Sequence, residues 1–227
     1  MKSLTVVVSL VFLLLLPFVA NSSERVHWTY EGRFGPDYWS ELSVDFGACS
    51  EGTQQSPIDL RGAFETRLSP VQLNWGETDW ELSNNGQNVF AHPKDGGYAI
   101  IEDRRFDLVH LQLHNPAENG DLAIIAVMID GGGVNQHFES FMAKAPVKKN
   151  EKHMLSGFDP TPMTTDVGDI LRYNGSLTAP PCTENVMWTV LTDPLVVSDA
   201  ALLAFNSLFQ NNARPLQALN RRYVLTD

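Results

Sequence analysis

Between its turn residues the chain carries short runs whose apolar side chains alternate with polar ones or follow without a break. These are "VQLNW" (71–75), "YAIIE" (98–102), "FDLVHLQLH" (106–114), "LAIIAVMI" (122–129) and "VMWTVL" (186–191). Runs of this length and period predict strands. The punctuation between them is dense, with 16 glycines and 13 prolines, and neither a low-complexity linker nor an internal repeat interrupts it. One stretch has helical spacing instead. In "SDAALLAFNSLFQNN" (198–212), Leu202, Ala204, Phe205, Leu208 and Phe209 recur near one face behind Ser198, a good N-cap. The pattern predicts a mainly β (α+β) single domain, a central sheet with a few short helices.

The first residues stand apart from that domain. "MKSLTVVVSLVFLLLLPFVANSS" has one lysine, an apolar run from Leu4 to Leu16, then Pro17 and small residues. This is the layout of a secretory signal peptide. The run is short for a membrane span and no basic cluster follows it. The expected organisation is therefore a leader over 1–22 and a domain over 23–227. The mature protein is expected outside the cell, in the apoplast if the source is a plant, without a membrane partner. Removing 1–22 takes one lysine and no acid, so the net charge moves from −11 to −12. No basic block offsets it, which argues against a nucleic-acid partner, and "KAPVKKNEKH" (144–153) reads as a solvated loop. In an oxidising compartment the even pair Cys49 and Cys182 reads as one long-range disulfide; the alternative is two separate buried thiols. Two N-glycosylation sequons occur: Asn21-Ser22-Ser23, kept or lost with the leader, and Asn174-Gly175-Ser176, usable if its loop is exposed.

Four stretches carry a likeness: "HWTYEGRFGPDYWSEL" (27–42), "CSEGTQQSPIDL" (49–60), "YNGSLTAPPCTENVMWTVL" (173–191) and "NNARPLQALNRR" (211–222). Together they resemble the alpha-class carbonic anhydrases, the last two in plant-like wording, and the likeness runs from His27 to Arg222. The resemblance implies a central, mostly antiparallel ten-stranded sheet and a conical pocket. At its base three histidines hold a zinc ion that activates water toward carbon dioxide. It also pairs Cys49 with Cys182 and makes Thr178 the acceptor of the zinc-bound hydroxide's hydrogen bond. Glu118 becomes the residue that orients Thr178. Leu177, Ile124 and Trp188 form the apolar wall. Gln87 falls where many members carry a proton-shuttling histidine, a task glutamine cannot perform because it does not titrate near neutrality. Ala179 replaces a threonine.

The metal pattern then fails. The family's first two ligands are His-x-His on one strand; here the chain reads Gln112-Leu113-His114, followed by Asn115-Pro116-Ala117-Glu118-Asn119. Spacing i, i+2 places 112 and 114 on one face, about 7 Å apart along the strand, but an amide is a poor zinc ligand. His110 shares the face yet stands about 13 Å from His114 on an extended strand, too far to share one ion. The partner strand with the third ligand is missing, a hairpin's worth of about twenty residues. A second alignment sets "RRFDLVHLQLH" on that partner strand, with Leu111 at the ligand position, the deletion before Glu102 and Glu118 without its role. Either way at most one ligand remains, so no metal residues and no cofactor are expected.

A pocket lined by His114, Gln112, His110, Thr178 and Glu118 keeps a general base and several hydrogen-bonding groups. The expected role is zinc-independent chemistry on a small molecule. The resemblance to plant members that have lost zinc ligands suggests condensation of an imine with a keto acid in alkaloid biosynthesis. The alternatives are a residual carbonate dehydratase and a non-catalytic binding or storage protein. The oligomeric state stays open.

Overall fold

The computed structural model describes residues 26–108, the backbone of 111–112, and residues 122–164, 168–208 and 212–227. In chain order the strands are β1 (Phe64–Glu65), β2 (Gln72–Asn74), β3 (Thr78–Asn84), β4 (Val89–Pro93), β5 (Tyr98–Ile101) and β6 (Arg104–Asp107), then β7 (Leu111–Gln112), β8 (Leu122–Asp130), β9 (Lys152–Phe158), β10 (Ile170–Ser176), β11 (Glu184–Val196) and β12 (Leu225–Thr226). The helices are α1 (Trp39–Leu42), α2 (Ala48–Glu51), α3 (Gln136–Lys144) and α4 (Asp199–Leu208).

Three sheets result: β1-β12-β10-β11-β8, β7-β4-β3-β9, and the smaller β2-β5-β6. Pairing is antiparallel except for β1 with β12 and β8 with β11. The five- and four-stranded sheets hold nine strands where the resemblance implies ten in one sheet. Among the described residues β7 and β8 are not paired with each other, and residues 113–121 between them lie outside the described ones.

Each sheet has its own apolar packing. β3 alternates strictly over its last five residues, with Trp80, Leu82 and Asn84 turned inward. Trp80 and Leu82 pack with Ala91, Phe141, Leu155 and Phe158. Fully burying side chains of this size contributes about 1.5–3 kcal/mol each. Beneath the five-stranded sheet, Ile170, Met187 and Leu191 meet Val71, Ala99 and Ile101 of the small sheet and its approach. On the other face Tyr173 and Val190 pack with Ile58 and Val224.

α4 forms where its pattern predicts, and Ser198 caps it by accepting a hydrogen bond from the Ala201 backbone N–H (3.2 Å). α3 is not foreseen. Asn135 caps it through the Phe138 N–H (2.9 Å), and Phe138 and Phe141 are its buried anchors. "FDLVHLQLH" is not one strand: β6 pairs with β5 in the small sheet, whereas β7 pairs with β4 in the four-stranded sheet. The chain changes sheets near Leu108, whose N–H still bonds to the Gly97 carbonyl (2.8 Å). The 13 Å reckoned between His110 and His114 assumed one unbroken strand, and both residues lie outside the described ones. Of the other histidines, His92 sits on β4, His137 on α3 and His153 on β9. His27 packs edge-on against Phe34, with centroids 5.3 Å apart.

Candidate functional site

The loop from Leu177 to Thr183, between β10 and β11, is the best-anchored part of the expected pocket. Leu177, Thr178 and Ala179 are all buried. The loop closes on itself through Leu177 N–H to Thr183 O (2.9 Å) and Cys182 N–H to Ala179 O (2.8 Å). Cys182 is bonded to Cys49 of α2, which settles the two open readings of the cysteines in favour of the bridge. Trp39, Cys49, Ala179 and Cys182 form one buried cluster, with Trp28 and Tyr30 packed against it.

A buried cation fastens the same region. Arg214 donates to the Gln55 side-chain oxygen (2.7 Å), the Ser56 carbonyl (3.0 Å) and the Cys49 carbonyl (2.7 Å), and its guanidinium lies over the Trp39 ring. Gln55 in turn donates to the Cys182 carbonyl (3.1 Å) and to Glu184 Oε1 (3.0 Å). Burial lowers the Arg214 pKa to about 10, still far above neutrality, so the charge persists. Burial also pushes the Tyr30 phenol up, and the Tyr173 phenol to about 12.

Trp188 is expected in the apolar wall and packs against the cluster of Ile58, Tyr173, Val190 and Val224. It is stacked on Tyr173 with centroids 5.8 Å apart, and its indole N–H donates to the Ser176 carbonyl (3.0 Å). Ile124 is its register partner across the parallel β8–β11 pairing, so these two predicted wall residues are neighbours. The Gln87 side-chain amide donates to the Trp28 carbonyl, and the Gln87 backbone carbonyl accepts from the Asn212 side chain (3.5 Å). Tied to the aromatic cluster, it serves as a strut.

Gln112 sits on β7 opposite Phe90 of β4; its side chain is not described. His110, His114 and Glu118 lie outside the described residues, as does the leader. Among the described residues no three His, Cys, Asp or Glu side chains come together to hold a metal. Sequence reasoning missed Arg214, although "NNARPLQ" was in view, and Asn88, which follows Gln87 and is fully buried with neither side-chain amide atom bonded to any described residue. No linear signal marks either residue: Arg214 acts through partners distant in sequence, and the burial of Asn88 is set by the tertiary fold.

This arrangement has known counterparts. Residues 112–227 match the family described as eukaryotic-type carbonic anhydrase. A carbonic anhydrase of Klebsiella pneumoniae is 31% identical over 222 residues, covering 88% of this chain and 90% of that protein. Dioscorin DB3S of Dioscorea polystachya, a plant relative, is 29% identical over 241 residues, covering 93% and 90%. The solved alpha-carbonic anhydrase of Thermovibrio ammonificans, in complex with sulfanilamide, superposes with a TM-score of 0.82 at 30% identity over 88% of this chain and 99% of that one. The chain belongs to the alpha-class carbonic anhydrase family.

Proposed function

We propose that this is an exported carbonic-anhydrase-like protein whose pocket works without zinc on a small metabolite. The observation that carries the reading is the split between β7 and β8. Under the first alignment the residues at the former metal base are Gln112, an amide, and one imidazole, His114. The next described strand, β8, shares the Trp188 side of the sheet through Leu122, Ile124 and Ala126, none of which can donate to a metal. Zinc needs three protein ligands at about 2.0–2.2 Å for a catalytic site, and this donor set does not fit it. The β4–β7 pairing supports that alignment, because it sets Gln112 beside the strand that follows Gln87.

What remains suits proton transfer. The neutral imidazole of His114 takes a proton from carbon alpha to the carbonyl of a keto acid. The enolate formed then attacks the carbon of a cyclic imine, forming a carbon–carbon bond, with the proton returned to nitrogen. The resemblance assigns Thr178 and Gln112 to the substrate oxygens and Glu118 to orienting Thr178. Ile124, Leu177, Ala179 and Trp188 exclude water. In the apoplast of a plant this is a step of alkaloid assembly.

The test has two arms. Metal analysis and a carbon dioxide hydration assay on the purified protein should find no stoichiometric zinc and no rate above buffer. Zinc bound one per chain, with hydration activity, would overturn the reading. Cyclic imines incubated with beta-keto acids should give a condensed product, detected by mass spectrometry and lost in His114→Ala. A product formed equally by that variant would remove His114 from the mechanism.

A further inference from the structure

We propose that Asn174 carries an N-linked glycan whose first sugar is seated in the polar cleft beside it. The inference rests on the reading of residues 1–22 as an export signal. Asn174 heads the sequon Asn174-Gly175-Ser176, whose use turns on exposure. The structure places it on β10, not on a loop, opposite Met187 of β11. Its side chain is exposed, whereas Gly175 and Ser176 are buried. Only the carboxamide must remain outside once the chain has folded, because the sugar is transferred to the chain before folding is complete. Burial of the Ser176 hydroxyl, which donates to the Leu177 carbonyl (2.7 Å), therefore does not block the acceptor.

The surroundings favour a sugar. Asn174 lines a cleft of about 300 Å³ together with Gln54, Arg104, Leu122, Asn185 and Met187. That volume is at the low end for small-molecule sites, about 300–1,000 Å³. Two further amides and one guanidinium offer donors and acceptors to hydroxyl and acetamido groups, and Met187 offers an apolar floor. Asn185 projects there because it takes a positive φ of 66° at the bulge where the β10–β11 register shifts. Such a backbone is one that asparagine tolerates better than most residues.

The chemistry is a glycosyl transfer from a lipid-linked oligosaccharide diphosphate of the secretory pathway. The Asn174 amide nitrogen bonds to the anomeric carbon and loses one proton. The bond from that carbon to the diphosphate oxygen breaks, and the lipid diphosphate leaves.

The full chain should be secreted from insect cells behind a heterologous leader replacing residues 1–22. Asn21 leaves with those residues, so Asn174 heads the one remaining sequon. The intact mass should show a glycan, and peptide-N-glycosidase in heavy-oxygen water should leave a labelled aspartate at 174. Asn174→Gln should be secreted without the added mass. Secreted protein with an unmodified Asn174 would overturn the proposal. A parallel expression with the native leader reads export separately, so failure of that arm alone counts against the leader and not against the glycan. Seating in the cleft is read by trimming the glycan to its first sugar and then removing that sugar. Tm should fall only at the second step, by about 2–4 °C, and Asn185→Ala should abolish that fall. An unchanged Tm at the second step would refute the seating and leave the modification standing.

Discussion

Replacing both bridge cysteines with alanine should destabilise the protein through its unfolded state while leaving the native pocket in place. Cys49 and Cys182 are 133 residues apart. In the chain-entropy model, releasing a loop of that length costs about 5 kcal/mol of stability, a large part of the roughly 5–15 kcal/mol that domains possess. The native geometry has independent support. Arg214 holds the Cys49 carbonyl, Gln55 holds the Cys182 carbonyl, and Gln55 accepts from Arg214. The loop bearing Thr178 should thus stay docked when the sulfurs go. Equilibrium urea unfolding is the assay. With a slope of about 2–3 kcal/mol per molar, the midpoint of Cys49→Ala/Cys182→Ala should fall by about 2 M, and the slope should rise as the unfolded chain expands. Near-ultraviolet dichroism without urea should be unchanged, since Trp28 and Trp39 keep their packing. A midpoint shift below about 0.5 M, or an altered spectrum before any urea is added, would refute the reasoning.

Thr189→Val should stabilise the protein by about 1 kcal/mol, raising Tm by about 2–4 °C in calorimetry, because the Thr189 hydroxyl is fully buried and finds no partner among the described residues; a comparable loss would show that the hydroxyl is solvated internally. Tyr173 should make stability fall in alkali. Burial raises its phenol from 10.0 to about 12, so the unfolded chain releases its proton first. The neutral phenol's contribution is complete below pH 10 and is lost as pH rises toward about 12, by about 2–3 kcal/mol. Urea midpoints across that window should slope less steeply in Tyr173→Phe, and an equal slope would remove Tyr173 as the cause.

Much of the fold is legible because the strands are local events. "LAIIAVMI" and "VMWTVL" have the composition and length of buried strands and become β8 and the middle of β11. Ser198 announces α4 by a capping chemistry that needs no tertiary information. α3 escapes notice because its two anchors, Phe138 and Phe141, are flanked by His137, Glu139 and Ser140, and two aromatic residues make too narrow an apolar stripe to read. "FDLVHLQLH" misleads for the opposite reason. Its alternation is real, but alternation fixes the face of each side chain and not the partner strand, so nothing linear shows that β6 and β7 join different sheets. Motif wording brings Ile124 and Trp188 together, and they are register partners, whereas the Arg214 network spans 165 residues to reach Cys49 and leaves no periodic trace.

α3 also joins the five- and four-stranded sheets, which share no ladder among the described residues. Sheets that share no ladder must be held together by other means, since a ladder carries both hydrogen bonds and cross-strand packing. Phe141 belongs to the cluster under β3, β4 and β9, and Phe138 belongs to the cluster formed by Val197 and Ala201 at the end of β11 and the start of α4. One turn of α3 thus clamps the four-stranded sheet to the five-stranded one. On the far side the small β2-β5-β6 sheet packs on β8, β10 and β11 through Ile101, Phe106 and Ile125. Each part keeps a hydrophobic core that does not pass through the break. Among the described residues the two larger sheets are thus joined by side-chain packing and not by a shared hydrogen-bond ladder, the arrangement that the proposed loss of the zinc site requires.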